Sequence, residues 1–62
     1  MEIIDKYKFI RTLSNETELS VNEATELINK IPFTHLEMAV SEYNNNGLLS
    51  LKMFADVSKF LN

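Results

Sequence analysis

Residues 20–37 read SVNEATELINKIPFTHLE and contain the start and end of one helix and the start of another. Ser20 and Glu23 have the spacing of a capping box, in which the serine oxygen accepts a hydrogen bond from the Glu23 amide and the glutamate accepts one from the Ser20 amide. Pro32 ends the helix, because the residue before a proline avoids the helical region. The stretch therefore predicts helix 2 over residues 21–31, with one apolar stripe at helical spacing: Ala24, Leu27, Ile28 and Ile31.

A second capping-box pattern follows at Thr34 and Glu37, and Phe33 and Met38 have the spacing of a hydrophobic staple around it. Helix 3 is predicted to start here and to end in the run Asn44–Gly47, since asparagine and glycine tolerate the left-handed conformation. An Asn-Gly pair also suits a β-hairpin, but the flanking residues have a helical period. The predicted buried face of helix 3 contains Leu36, Ala39, Val40 and Tyr43.

Two further helices are predicted on either side of this stretch. Helix 1 covers residues 2–13, and its apolar residues recur at spacings of three and four: Ile3, Ile4, Tyr7, Ile10 and Leu13. Ser50 can cap helix 4, whose apolar arc consists of Leu49, Met53, Phe54, Val57, Phe60 and Leu61. Strand-like alternation persists nowhere, so residues 1–62 are predicted to form one all-α domain, a compact bundle of four short helices.

A weak internal similarity relates residues 19–21 (LSV) to residues 49–51 (LSL), which suggests two helix–loop–helix units. The loops that begin at Thr12 and Glu42 have part of the ligand spacing of an EF-hand. The first loop lacks the glycine and an acidic first ligand, and the second has Met53 where a bidentate glutamate is needed. Calcium binding is therefore not predicted, and a degenerate EF-hand-like unit that binds a partner without calcium is one functional hypothesis.

Composition excludes several classes of site. The chain has no cysteine and a single histidine, His35, so neither a disulfide nor a cysteine- or histidine-based zinc cluster is predicted. The carboxylate pairs of the acidic segment lie at a loop and a helix start, where they complement the helix dipole, and a glycine-rich phosphate loop is missing. We predict no enzyme activity and no cofactor. The absence of a signal-like segment and of a run of about 20 apolar residues predicts a cytoplasmic protein with no membrane contact.

Charge is unevenly distributed along the chain. The net charge is −3, and residues 14–46 hold six glutamates against one lysine. An acidic segment repels phosphate, which disfavours nucleic-acid binding. Helix 2, the turn at residues 31–33 and helix 3 could form a helix-turn-helix, but helix 3 carries no arginine or lysine for DNA. A dimeric transcription regulator of this type is nevertheless the second functional hypothesis.

The favoured hypothesis is a small regulatory or inhibitory module that binds another protein through apolar and acidic helical surfaces. Four apolar residues fall outside the predicted stripes, namely Phe9, Met38, Leu48 and Leu51. Such residues mark an interface when they cluster. The acidic contact residues are predicted to be Glu16, Glu18, Glu23 and Glu26, which would steer the domain towards a basic surface on the partner. A homodimer formed through the apolar patch is a further expectation.

Overall fold

A computed structural model describes residues 5–60, and the described chain is helical without any strand. It contains helices α1 (Lys6–Glu16), α2 (Val21–Asn29) and α3 (Leu36–Ser58), with a 3₁₀ turn at Phe33–His35 before α3. The predicted all-α class is confirmed. The predicted arrangement of four separate helices is not confirmed, because residues 36–58 form a single element with a break inside it.

Asp5 caps the start of helix α1, and its carboxylate accepts a hydrogen bond of 3.1 Å from the Lys8 amide. The helix ends at Thr17, which donates from both its amide and its hydroxyl to the Leu13 carbonyl. The helix therefore runs one turn past the predicted end, while Ile3 and Ile4 lie outside the described residues. The prediction that Tyr7 is buried is wrong, since 75% of Tyr7 is exposed. The buried face of α1 consists of Phe9, Ile10 and Leu13.

Helix α2 starts as the sequence predicts. The Ser20 hydroxyl accepts a hydrogen bond of 3.1 Å from the Glu23 amide, and the Glu23 carboxylate accepts one of 2.9 Å from the Ser20 amide. The capping box is thus complete on both sides. The helix ends at Asn29, two residues before the predicted end, and Ile31 still packs into the core before Pro32 redirects the chain.

The second predicted capping box does not form in the described structure. Pro32 begins a 3₁₀ turn in which the His35 amide donates to the Pro32 carbonyl at 2.8 Å. This turn moves the helix start to Leu36 and removes Thr34 from the position of a cap. Phe33 and Met38 are 70% and 57% exposed, so the predicted staple does not shield them either.

Helix α3 is interrupted at Gly47, where φ is 88° and ψ is −175°. This backbone region is open essentially to glycine alone. It divides α3 into a first arm (residues 36–46) and a second arm (residues 48–58). A straight helix of 23 residues would be about 34 Å long, which exceeds the largest dimension of the fold, 28 Å. The predicted helix end at residues 44–47 is therefore a break within α3 and not a loop.

Polar side chains span this break. The Glu42 carboxylate accepts a hydrogen bond of 2.6 Å from the Ser50 hydroxyl and one of 3.2 Å from the Asn46 amide. Glu42, where the second loop of the EF-hand comparison begins, thus links the two arms through Ser50. The two halves of the chain also differ in packing, since Leu27 is buried and Val57, at the equivalent position of the suggested repeat, is 57% exposed.

One hydrophobic core joins the three helices. Helix α2 packs against both α1 and α3, and the Phe9 ring meets the Tyr43 ring edge-on at 6.0 Å. Partly buried side chains, among them Leu48 and Phe54, cover the core. The buried apolar residues are Phe9, Ile10, Leu13, Ala24, Leu27, Ile28, Ile31, Leu36, Ala39, Leu51 and Ala55.

Candidate protein-binding surface

The second arm of α3 has two apolar faces, and the structure buries the one that the sequence analysis did not choose. Leu51, Ala55 and Ser58 are fully buried. Four residues of the predicted buried arc are instead largely exposed: Leu49 (73%), Met53 (63%), Val57 (57%) and Phe60 (79%). The predicted packing of this segment is therefore wrong except for Phe54, which is partly buried against the core.

These four exposed residues form a single row, which we call the α3 stripe. At about 100° per residue, positions 49, 53, 57 and 60 fall within an arc of about 80°, almost opposite Leu51, Ala55 and Ser58. The row is roughly 16 Å long at 1.5 Å per residue. Phe60 stays on this path just after the helix ends, because its amide donates to the Val57 carbonyl at 3.0 Å.

Packing explains why the larger side chains stay outside. The buried face presents one leucine and two small residues, Ala55 and Ser58, which allow the second arm to lie close to the rest of the domain. This choice leaves the Ser58 hydroxyl buried with no hydrogen-bond partner among residues 5–60. Full burial of a leucine, methionine, valine or phenylalanine contributes about 1.5–3 kcal/mol. A partner that covered this row would gain part of that free energy for each side chain it buried.

Charged residues border the α3 stripe on one side only. Lys52 and Asp56 line a cleft beside α2, Lys59 lies on the same side of the helix by its spacing, and the Asp56 carboxylate is 3.8 Å from the Lys30 ammonium. Both partners of this pair are largely exposed, so it adds little to stability. The Lys59 ammonium lies 5.3 Å from the centre of the Phe60 ring, which is a cation–π distance.

A shallow cleft of about 290 Å³ separates α2 from the second arm of α3. Five charged residues and two leucines line it, and the charges nearly cancel: Leu19, Glu23, Glu26, Leu27, Lys30, Lys52 and Asp56. Glu23 and Glu26, two of the predicted acidic contact residues, both line this cleft, and two lysines lie beside them. This local neutralisation makes the cleft a weaker attractor for a basic partner than the sequence suggests.

The predicted apolar contact residues do not form one patch. Phe9 is 7% exposed and Leu51 is fully buried, so the expectation that both lie outside the buried stripes is wrong. Leu48 packs partly against the core. Only Met38, on the first arm of α3, is largely exposed.

Two of the predicted acidic contact residues lie away from the cleft. Glu16 accepts a hydrogen bond of 2.9 Å from the Tyr43 hydroxyl and so links α1 to the first arm of α3. Partial burial of Tyr43, together with this bond to Glu16, raises the pKa of the phenol. Glu18 is exposed in the loop between α1 and α2.

The capping box gives Glu23 a role in pH-dependent stability. Hydrogen bonds from the Ser20 amide and hydroxyl hold the pKa of the Glu23 carboxyl below its ordinary value of 4.5. Because the folded pKa is the lower one, this stabilisation is present above pH 4.5 and is lost as the pH falls through the folded value. We expect Glu23→Gln to reduce the fall in melting temperature on acidification below pH 4.5, as measured by circular dichroism.

Glu18→Gln is the matched control, because Glu18 is exposed and lies outside the capping box. Its melting temperature should fall with acidification as steeply as that of the unaltered protein. Equal slopes for the unaltered protein and Glu23→Gln would contradict the assigned role of Glu23.

The α3 stripe is the surface that sequence reasoning missed. One signal was present: the second arm contains two apolar rows, and one of them combines Leu51 with the small residues Ala55 and Ser58. Small residues at helical spacing are typical of close packing between helices. The sequence analysis assigned the other row to the core because its side chains are larger. In this domain the size of the side chains was a misleading criterion.

Within residues 5–60, no helix is long and apolar enough to cross a bilayer, and no three potential metal-binding side chains of His, Asp or Glu lie together. In comparisons with known proteins, no family model, curated protein or solved structure matches this chain.

Proposed function

We propose that this domain is a small regulatory or inhibitory module that binds another protein through the α3 stripe. The main support for this proposal is that the second arm of α3 has two apolar faces, of which one is buried and the other is exposed. One face holds Leu51 and Ala55 in the core, and the opposite face exposes four large apolar side chains in a row. A helix of this kind holds the domain together on one side and offers anchors to a partner on the other.

The spacing of the α3 stripe suits recognition by a groove. Helical ligands place apolar anchors about one turn apart into a hydrophobic groove of the partner, and Leu49, Met53, Val57 and Phe60 have this arrangement. Phe60 and Met53 are the strongest candidates for anchors, because aromatic residues and methionine are enriched in interface cores. Lys52 and Lys59 then lie at the polar rim.

The distribution of charge supports a role for the acidic segment, residues 14–46, in the first approach of the partner and not in the final contact. Six glutamates and one lysine occupy residues 14–46, whereas the charged flank of the stripe has two lysines and one aspartate. Such a distribution orients the domain towards a partner with a basic surface outside its apolar groove. Association is then expected to slow as salt screens the charges.

A pair of matched substitutions tests the proposal. Met53→Glu places a charge in the α3 stripe, and Met38→Glu places the same charge at a similarly exposed position on the first arm, since these methionines are 63% and 57% exposed. We expect a protein that co-purifies with the tagged domain from its native cell to be lost with Met53→Glu and kept with Met38→Glu. Melting temperatures of both variants should show that each is folded.

The same proteins co-purifying with all three forms would show that the α3 stripe is not the contact surface. Loss of the partner with Met38→Glu alone would transfer the surface to the first arm and overturn the proposal as well.

A further inference from the structure

We infer that the α3 stripe pairs with the α3 stripe of a second copy, with the two second arms antiparallel about a two-fold axis near residues 54 and 55. The inference rests on the proposed function in taking the α3 stripe as a binding surface, and a second copy is then an occupant that competes with the partner protein. In a two-fold interface the same patch serves both copies and must complement itself. The α3 stripe meets this condition in shape and in charge.

Shape complementarity follows from the order of the residues. With the axis midway between positions 49 and 60, Leu49 of one copy lies beside Phe60 of the other. Met53 then lies within about 1.5 Å, along the helix axis, of the level of Val57 in the second copy. Each of these two pairs combines a larger with a smaller side chain. Because the two-fold axis repeats each pair, the second copy covers the α3 stripe along its whole length.

Charge complementarity selects the antiparallel arrangement. A two-fold axis perpendicular to both helices brings the same flank of each copy together, so the flank with Lys52 and Asp56 faces itself. Lys52 of one copy then lies level, to within about 1.5 Å, with Asp56 of the other. The two Lys59 side chains are separated by about 13 Å along the helix axis. This separation exceeds the Debye length of about 8 Å at physiological salt, so their repulsion is largely screened.

A parallel pair lacks this match. Its two-fold axis would run along the helices and bring the charged flank of one copy against the opposite flank of the other, which carries Ser50 and Phe54. Lys52 and Asp56 would then have no charged residue of the second arm opposite them. The contact between Asp56 and Lys30 is long, at 3.8 Å, and the Asp56 side chain is 65% exposed, so this contact leaves Asp56 accessible.

The area of the α3 stripe indicates a weak dimer. Four exposed side chains of this size present on the order of 500 Å² per copy, in the range of the largest apolar patch of an ordinary monomer. A stable interface of standard size buries roughly 800 Å² per partner. We therefore expect association weaker than that of a standard-size interface, with monomer and dimer in exchange.

Sedimentation equilibrium measures the association of two copies directly. Over concentrations from about 1 μM to 1 mM, the average mass of the unaltered protein should rise from that of a monomer to that of a dimer. Met53→Glu should weaken the association by at least about tenfold, and Met38→Glu should leave it unchanged. A monomer at every concentration, or equal dimerisation of Met53→Glu, would overturn the inference.

A charge exchange tests the orientation. Lys52→Asp and Asp56→Lys should each weaken the dimer, because each sets like charges against each other across the axis. The double variant Lys52→Asp/Asp56→Lys should recover the association of the unaltered protein. A double variant as weak as the single ones would contradict the antiparallel pairing.

The mass of the protein and the set of co-purifying proteins together distinguish partner binding from pairing of two copies. A monomeric protein whose Met53→Glu variant loses a co-purifying partner overturns the second copy as occupant and supports the proposed function. A dimer whose Met53→Glu variant is monomeric but retains all co-purifying proteins supports the second copy and overturns the proposed function.

Discussion

Leu51→Ala is expected to cost about 2–5 kcal/mol of folding free energy, the range for removing a buried leucine side chain and leaving a cavity. Leu51 is fully buried beneath the second arm of α3. At roughly 0.05–0.15 kcal/mol per residue, a domain of 62 residues has a stability of about 3–9 kcal/mol. The substitution therefore removes a large share of the stability, and urea or thermal denaturation followed by circular dichroism will measure it.

Leu49→Ala is the matched control for this experiment. Leu49 lies two residues away on the same arm but is 73% exposed, so the same chemical change should alter stability by only about 0.5 kcal/mol or less. Both measurements need a low protein concentration, so that pairing of the α3 stripe does not contribute. If Leu49→Ala proved the more damaging change, the second arm would present its other face to the core, and the α3 stripe would not be a surface.

Gly47→Ala is expected to destabilise the domain by about 1–3 kcal/mol, the usual cost of holding a residue with a side chain in such a backbone region. Apart from the adjoining residues and nearby helix backbone, none of the described atoms lies within 4 Å of the position that the new Cβ would occupy, so the cost is backbone strain and not a clash. Denaturation with urea will give the size and, more importantly, the sign of the change.

The sign of the stability change is informative, because inside a straight helix alanine is more stable than glycine, the reverse of what is expected at the break. In a straight helix alanine is favoured by about 1 kcal/mol. A more stable Gly47→Ala protein would therefore mean that α3 runs straight through position 47, contrary to the structure. Asn44→Ala, at an exposed position on the first arm, is the control and should leave stability the same or slightly higher.

Local signals predicted the parts of the fold that depend on local contacts. The capping box of Ser20 and Glu23 located the start of α2 correctly, because both hydrogen bonds join residues three apart. The run ending at Gly47 located the break in α3, because only the backbone conformation of that residue is involved. Thr34 failed as a cap although its local pattern was equally good, since Pro32 imposed a 3₁₀ turn on the same residues.

The candidate site was less predictable than the fold. Glu23 and Glu26 do lie together beside a cleft, but Lys30 and Lys52 approach them from α2 itself and from α3. The proximity of Lys52 depends on how two helices pack, which the charge of a single segment does not reveal. Phe9 likewise became a core residue because Tyr43, far along the chain, packs against its ring.

The amino-acid sequence alone determined that this chain is helical, where its polar breaks lie, and that the second arm of α3 carries two apolar rows. Which of the two rows is buried depends on contacts between helices. Helical period specifies which residues share a face, but the choice between two apolar faces depends on how closely the other helices can approach. Ala55 and Ser58 permit the closer approach, so the larger residues from Leu49 to Phe60 remain on the outside, available for binding.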